Sequence, residues 1–196
     1  HRTQRPWQGQ VEATPPDQRP QFDPGCYLCP GNARAGGEHN PAYESTFVFT
    51  NDYAALLPDT PGGSFDRGGL LRAESDRGTC RVVCFSPRHD LTLAEMEVSA
   101  LARVVDVWVE QYDDLAGQPQ VNYVQIFENR GAMMGASNPH PHGQIWATEL
   151  VPLNVAREQE AQAEYFTSHG RTLLSDYLAL ELEDGARLVC ANEHFV

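Results

Sequence analysis

Several short segments alternate between apolar and polar residues, which predicts the strands of a sheet. A period of two, together with β-branched and aromatic residues, is typical of half-buried strands. Such segments occur at residues 46–50, 80–85, 121–128, 142–148 and 187–191, with a shorter candidate at 54–57. The Gly- and Pro-rich stretch 58–78 predicts a long loop.

Three other segments have apolar residues at helical spacing. The longest ends near residue 116, and Thr92 followed by Glu95 predicts a capping box at its start. Two further helices are predicted at 154–168 and 172–183. Because the strands follow one another mostly without helices between them, we predict an α+β fold, with an antiparallel sheet and helices on one side.

The first 25 residues differ in composition from the remainder. They are rich in Pro, Gln and Arg, which predicts an extended amino-terminal arm, and residues 26–196 are predicted to form one domain. The chain begins without methionine and ends in what resembles the start of a strand. We therefore expect it to be part of a longer polypeptide.

Charge and cysteine content argue against several classes of function. The net charge is −13, which disfavours nonspecific nucleic-acid binding, because that depends on Lys and Arg neutralising phosphates. No apolar run approaches the roughly 18 residues that a membrane helix needs, and the start of the chain lacks a signal-peptide core. Five cysteines with one Cys-x-x-Cys pair do not resemble a disulfide framework, so we expect a reducing, cytoplasmic location.

Residues 138–144, Asn-Pro-His-Pro-His-Gly-Gln, are the strongest candidate for chemistry. The prolines fix φ and favour extended neighbours, and side chains at i and i+2 of an extended segment lie on one side, about 6.6 Å apart. His140 and His142 are thus presented side by side in a stiff frame. A neutral imidazole held in this way can attack phosphorus and form a covalent intermediate. The alternative is that both histidines are metal ligands or surface residues.

Cys26 and Cys29 form a plausible half-site for zinc, which binds thiolate and imidazole in a tetrahedron. His89 and His140 are candidates for the two remaining ligands. A competing set uses His140 and His142, which would leave no free nucleophile. A third interpretation has no metal and two free or redox-active thiols. Spacing alone leaves these alternatives open, because the ligands are far apart in sequence.

Other polar and sulfur-containing residues have weaker signals. The loop 131–137 contains two glycines, whose small size lets backbone N–H groups approach phosphate. Asn51 and Asp52 follow a predicted strand, where they either bind ribose hydroxyls or form a turn. The remaining cysteines are predicted to be inert core residues: Cys80, Cys84 and Cys190.

Six motifs are distributed along the chain. They are His-Arg-x-x-Arg-Pro-Trp-Gln-Gly at 1–9, Cys-x-Leu-Cys-x-Gly-Asn at 26–32, Phe-Val-Phe-Thr-Asn-Asp at 47–52, Arg-Val-Val-Cys-Phe-Ser-Pro-x-His at 81–89, Phe-Glu-Asn-x-Gly at 127–131 and Ser-Asn-Pro-His-Pro-His-Gly-Gln-Ile-Trp at 137–146. Together they resemble the galactose-1-phosphate uridylyltransferase family, a branch of the histidine-triad superfamily. The resemblance extends over nearly the whole chain and implies a histidine-triad-like antiparallel half-barrel with helices on one side.

The resemblance implies a role for each candidate residue. His142 would become uridylylated, and Gln144 would donate to the phosphoryl oxygens, at the place where histidine-triad hydrolases have a third histidine. The implied ligands of a structural zinc ion are Cys26, Cys29, His89 and His140. Phosphate contacts are implied for Arg2, Arg5, Asn129 and Ser137, ribose contacts for Asn51 and Asp52, and walls of a uracil pocket for Leu28 and Val82. Glu158 would be one ligand of a second metal ion, described as iron in some members.

The implied reaction transfers UMP from UDP-glucose to galactose 1-phosphate through a uridylyl-histidine, in galactose metabolism, and a homodimer is expected. The chain departs from the family pattern at Ala136, where cysteine is common. The family also has a carboxy-terminal domain that supplies the other second-metal ligands, all histidines, and sugar-phosphate contacts across the dimer. An iron or second zinc ion is therefore expected only in the complete protein.

Two other functions fit parts of this pattern. A histidine-triad enzyme acting on adenine nucleotides would share the histidine loop, but the motifs outside that loop disfavour it. A zinc-stabilised binding module without catalytic activity would have no need of the intact His-Gly-Gln at 142–144.

Overall fold

The computed structural model describes residues 19–131, 134–136 and 138–195. Contacts divide the chain into two compact units, His1–Leu150 and Val151–Val196. The described part of the first unit contains, in order, β1 (Phe47–Thr50), β2 (Ser64–Arg67), β3 (Leu71–Glu74), β4 (Gly78–Cys84), α1 (Val98–Ala116), β5 (Tyr123–Phe127) and β6 (His142–Thr148). The second unit contains α2 (Leu153–His169) and α3 (Leu173–Asp184).

The first unit is built on an open, four-stranded sheet. Its strand order is β1-β4-β6-β5, and every neighbouring pair is antiparallel. The strands β2 and β3 form a separate hairpin. Helix α1 packs on one face of the large sheet. The predicted α+β architecture, with an antiparallel sheet and helical packing on one side, is confirmed.

Both faces of the sheet contribute to apolar clusters, because alternate residues of a strand point to opposite sides. On one face, Val83 of β4 and Ile145 of β6 pack against Val104 of α1. On the other face, Val82 packs against a cluster that includes Leu28. Residues 26–29, called the amino-terminal knuckle below, contain Leu28 and the candidate metal ligands Cys26 and Cys29, which therefore lie on the face opposite α1.

Three predicted segments differ from the structure. Residues 54–57 and 187–191 are described, and neither forms a strand. The segment 58–78, predicted to be a loop, contains the β2–β3 hairpin. All eight residues of its two strands are exposed, so no alternation of burial marked them in the sequence.

The predicted capping box is also wrong. Thr92 precedes a short 3-10 turn, Leu93–Glu95, and among the described residues its side chain makes no capping hydrogen bond. Helix α1 begins only at Val98, after Glu97. Both residues of the motif therefore belong to the turn, where the Glu95 backbone N–H donates to the Thr92 backbone oxygen at 3.0 Å, and neither caps the helix.

Of two expectations about the chain as a whole, one can be compared with this structure. In the described ranges, no helix is both long and apolar enough to cross a membrane. The boundary at residue 25 stays a prediction, because residues 1–18 lie outside the described part of the chain.

Candidate active site and metal centre

The register of the sheet places the two central candidate residues side by side. His142 pairs with Cys84, and Gln144 pairs with Val82, which in turn pairs with Phe49. Directly paired residues of antiparallel strands share a face. His142 and Gln144 therefore lie on the face away from α1, where they belong to neighbouring cross-strand pairs.

A pocket of about 540 Å³ opens on this face. Its volume lies in the range typical of small-molecule sites, roughly 300–1,000 Å³. Its lining includes six of the residues predicted to form the site, together with four others. These residues are Tyr27, Leu28, Ala35, Phe49, Asn51, Asp52, Tyr53, Val82, His142 and Gln144. Apolar and aromatic side chains thus meet a small number of polar groups, as in many ligand sites.

Asn51 fits both interpretations made from the sequence. Its Oδ1 accepts a hydrogen bond from the Tyr53 backbone N–H at 2.9 Å, which is the turn interpretation. The residue also lines the pocket, and its Nδ2 lies 3.5 Å from Gln144 Oε1. A turn and a ligand-facing position are therefore compatible at this residue.

The hydrogen bonding of His142 determines its tautomer. Its Nδ1 lies 2.7 Å from the backbone oxygen of His140. A carbonyl oxygen only accepts, so Nδ1 carries the proton and Nε2 presents its lone pair. A half-buried imidazole with an unprotonated Nε2 at the wall of a pocket is equipped to act as a nucleophile.

Gln144 is oriented by a residue that sequence reasoning did not identify. The indole N–H of Trp146 donates to Gln144 Oε1 at 3.1 Å. Because an indole nitrogen can only donate, the oxygen of the amide is fixed on that side. The Gln144 amide nitrogen is then the end available to donate to an acceptor such as a phosphoryl oxygen.

Arg34 is a second residue that sequence reasoning missed. Its guanidinium lies 4.1 Å from the centre of the Phe49 ring and 3.6 Å from Asp52 Oδ1. Only 11% of its side chain is exposed. Among the described residues, its Nε and Nη1 have no hydrogen-bond partner. This largely buried cation contacts both an aromatic ring and a carboxylate that line the pocket.

Four candidate metal ligands come together behind the pocket. The ligand atoms of Cys26, Cys29, His89 and His140 all lie within 4.8 Å of one another, and all four residues are buried. Cys29 Sγ lies 3.6 Å from His89 Nδ1 and 3.5 Å from His140 Nδ1. Bond lengths of about 2.3 Å to sulfur and about 2.05 Å to nitrogen give S–N edges of about 3.6 Å in a tetrahedron.

These residues therefore fit a tetrahedral ion such as zinc. In the described part of the chain, this group does not include His142. The competing ligand set of His140 with His142 is not the one that the structure brings together.

Hydrogen bonding and burial prepare His140 for this role. Its Nε2 donates to the backbone oxygen of Ser86 at 2.9 Å, which leaves the Nδ1 lone pair facing Cys29. Burial is the main cause that lowers the pKa of His140 to about 4, and burial also lowers the pKa of His89. Both changes favour the neutral imidazole that a metal requires.

For the thiol of Cys29, burial raises the pKa instead of lowering it. The pKa of this group is about 11, so the metal-free site holds a protonated thiol at neutral pH. Metal binding must then displace that proton, which makes affinity depend on pH.

The remaining predicted residues are taken one by one. Asn129 is exposed and is not among the described residues that line the pocket. Glu158 is exposed on α2 and belongs to no metal-ligating group found among the described residues. Cys80 and Cys84 are buried as predicted, but Cys190 is exposed, so its assignment to the core was wrong. Three predicted phosphate-binding residues lie outside the described part of the chain: Arg2, Arg5 and Ser137.

Comparisons with known proteins agree with the resemblance seen in the motifs. Residues 1–152 match the family model for the galactose-1-phosphate uridyl transferase N-terminal domain. Galactose-1-phosphate uridylyltransferase of Haemophilus influenzae is 47% identical over 196 residues, which cover 100% of this chain and 56% of that protein. The enzyme of the same name from Rattus norvegicus is 46% identical over 196 residues, covering 100% of this chain and 51% of that protein.

A solved uridylyltransferase structure superimposes with a TM-score of 0.72 and 25% identity, covering 89% of this chain and 54% of that chain. The chain therefore spans about half the length of the relatives that it matches.

Proposed function

The chain belongs to the galactose-1-phosphate uridylyltransferase family, and from this premise we propose that it carries the uridylyl-accepting site of that reaction. His142 attacks the α-phosphorus of UDP-glucose, and the bond to the departing glucose 1-phosphate breaks. Galactose 1-phosphate then attacks the uridylyl-histidine, which yields UDP-galactose and regenerates the imidazole. The reaction is a double displacement with ping-pong kinetics.

One observation carries this proposal more than any other. His142 lines a pocket of about 540 Å³ and donates through Nδ1 to the His140 carbonyl, so that Nε2 is free to form the bond to phosphorus. When that bond forms, the ring becomes cationic. The Nδ1–H···O=C hydrogen bond is then charge-assisted and stabilises the intermediate.

Gln144 supports the transfer by donating to the phosphoryl group. Trp146 fixes the oxygen of its amide, so the amide nitrogen is the end that meets a developing negative charge. Unlike an imidazole, an amide does not act as a general base toward water. This difference favours transfer to a second sugar phosphate over hydrolysis of the intermediate.

The pocket offers complementary surfaces for a uridine. The side chains of Leu28, Phe49 and Val82 provide apolar contact for a base, and Asn51 and Asp52 provide polar groups for ribose hydroxyls. Phosphate contacts from Arg2, Arg5, Asn129 and Ser137 remain predictions, as do a second metal ion at Glu158, a homodimer and a cytoplasmic location.

The metal has a structural role in this proposal. Four protein ligands leave no coordination position for substrate. Cys26 and Cys29 belong to the amino-terminal knuckle, and His140 belongs to the loop of the nucleophile. The ligand set thus ties the knuckle that bears the pocket residue Leu28 to the segment that bears His142.

Mass spectrometry after brief exposure to UDP-glucose tests the proposal. We expect one acid-labile UMP adduct on the peptide that contains His142, its absence from His142→Asn, and its persistence in the matched control His169→Asn. His169 is an exposed histidine of α2. An AMP adduct from a diadenosine polyphosphate in place of the UMP adduct would support the adenine-nucleotide alternative, and no adduct with either substrate would refute nucleotidyl transfer.

A further inference from the structure

The side chain of Asn138 lies between the metal-ligating group and the loop of His142. The residue is 8% exposed. Its Oδ1 accepts a hydrogen bond from the His140 backbone N–H at 2.9 Å. Cys26 Sγ lies 3.4 Å from its Nδ2 and 3.5 Å from its Oδ1. Because a backbone N–H can only donate, the contact with His140 assigns the oxygen of the amide, and once the sulfur has lost its proton only the amide nitrogen can hydrogen-bond to it.

The hydrogen bonds continue from His140 to the nucleophile. His140 receives the Asn138 contact at its backbone nitrogen and accepts from His142 Nδ1 at its backbone oxygen, at 2.7 Å. The prolines at 139 and 141 have no N–H, so His140 supplies the only backbone donor between those positions. Asn138 therefore satisfies the one backbone donor of this short segment.

We propose that Asn138 is a positioning residue that couples the Cys26 side of the metal centre to the tautomer of His142. Its amide N–H groups stabilise the Cys26 thiolate, as outer-sphere donors to metal ligands do. Its amide oxygen holds the His140 peptide, whose carbonyl in turn selects the Nδ1–H form of His142. The inference deepens the proposed function, since it concerns the residue that is proposed to receive UMP.

Two substitutions distinguish the role of the Asn138 amide oxygen from the role of its amide nitrogen. Asn138→Ala removes both hydrogen bonds. Asn138→Asp keeps an acceptor for the His140 N–H but places a carboxylate beside the sulfur of Cys26. Asn40→Ala is the matched control. Asn40 is also buried and its Nδ2 donates to the backbone oxygens of Tyr27 and Cys29, without a hydrogen bond to the histidine loop among the described residues.

The experiment uses zinc-loaded protein labelled with ¹⁵N-histidine. Ring-nitrogen shifts report the tautomer of His142, and competition with a chelator reports zinc affinity. For Asn138→Ala we expect a mixture of His142 tautomers and a loss of zinc affinity of about 10- to 100-fold. For Asn138→Asp we expect a similar loss of affinity with the Nδ1–H tautomer retained. Asn40→Ala is expected to keep the tautomer.

A single Nδ1–H tautomer in folded Asn138→Ala, or unchanged zinc affinity in both Asn138 variants, would overturn the inference. Asn138→Asp preserves the contact to the His140 backbone, so it provides a test even where the alanine variant does not fold. Both readouts are independent of uridylyl transfer. Failure of the proposed function would appear instead as the absence of a UMP adduct on His142 in the unsubstituted protein.

Discussion

Replacing Gly143 with alanine tests how β6 places its functional side chains. Gly143 lies between His142 and Gln144, and its α-carbon faces the core on the α1 side. A Cβ at this position would lie 2.7 Å from Phe85 Cζ and 2.9 Å from the backbone oxygen of Phe127. Carbon atoms in favourable contact are about 3.5–4.0 Å apart. The ring or the strand must therefore move by about 0.8–1.3 Å.

Close packing in this core opposes movement of the Phe85 ring and of β6. Phe85 is 2% exposed, and its ring packs edge-on against Trp108 with the centroids 5.8 Å apart. Overpacking of this kind costs about 1–3 kcal/mol. At about 2–4 °C per kcal/mol for a protein of this size, the melting temperature should fall by about 2–12 °C. If β6 moves, His142 moves with it, and a displacement of about 1 Å costs about 100-fold in rate.

The assay combines thermal unfolding with the initial rate of UMP labelling by UDP-glucose. The matched control is Gly63→Ala, because a Cβ at Gly63 has no neighbour within 4 Å and the residue does not require a left-handed backbone. It should change the free energy of unfolding by less than about 0.5 kcal/mol. Gly143→Ala combined with Phe85→Leu should recover part of the labelling rate, since leucine vacates the space of the ring edge.

Wild-type stability and wild-type labelling in Gly143→Ala would show that β6 tolerates a side chain at this position. Close packing would then not explain why a glycine, and no larger residue, stands between His142 and Gln144. Equal losses in Gly63→Ala would show that the losses do not depend on the close contacts at Gly143, since restricting the unfolded backbone should by itself stabilise the fold.

Three further predictions concern the pocket and the metal centre. Asp52→Ala should weaken UDP-glucose binding by about 10- to 100-fold in calorimetry, as expected for a lost hydrogen bond to a charged group; an equal loss with a deoxyribose analogue would contradict ribose recognition. Burial lowers the pKa of His140 from 6.5 to about 4, so the unfolded chain binds a proton that the folded, metal-free chain does not. The stability from this group is therefore complete above pH 6.5 and lost as the pH falls toward 4, by up to about 3 kcal/mol in urea titrations, and a pH-independent difference between wild type and His140→Asn would contradict this. Because burial raises the pKa of Cys29 to about 11, zinc uptake at pH 7 should release its proton. Calorimetry in buffers of different ionisation enthalpy measures that release, and Cys29→Ser should reduce it.

The sequence predicted the central strands well because their patterns match their environment. In β6, His142, Gln144 and Trp146 alternate with Gly143, Ile145 and Ala147, and the latter three are buried. The β2–β3 hairpin escaped prediction for the opposite reason: all eight of its strand residues are exposed, so there is no alternation to read. Its signal was the pair of glycines at 68 and 69, both with positive φ.

The residues of the candidate site were also predicted only in part. His142 and Gln144 were identified because their motif is contiguous. Arg34 was missed because its meaning depends on the carboxylate of Asp52, 18 positions later in the chain, and on the Phe49 ring. Asn138 contacts a sulfur 112 positions away, and no local pattern reports such a contact.

The position of β6 in the sheet determines how early this strand opens when the molecule unfolds. From Gln144 to Thr148 this strand is hydrogen-bonded to β4 on one side and β5 on the other. Its amides should therefore exchange with deuterium among the slowest in the molecule, through global opening rather than local fraying. Heat inactivation of the site should consequently coincide with loss of the fold, without an earlier state that is folded but unreactive.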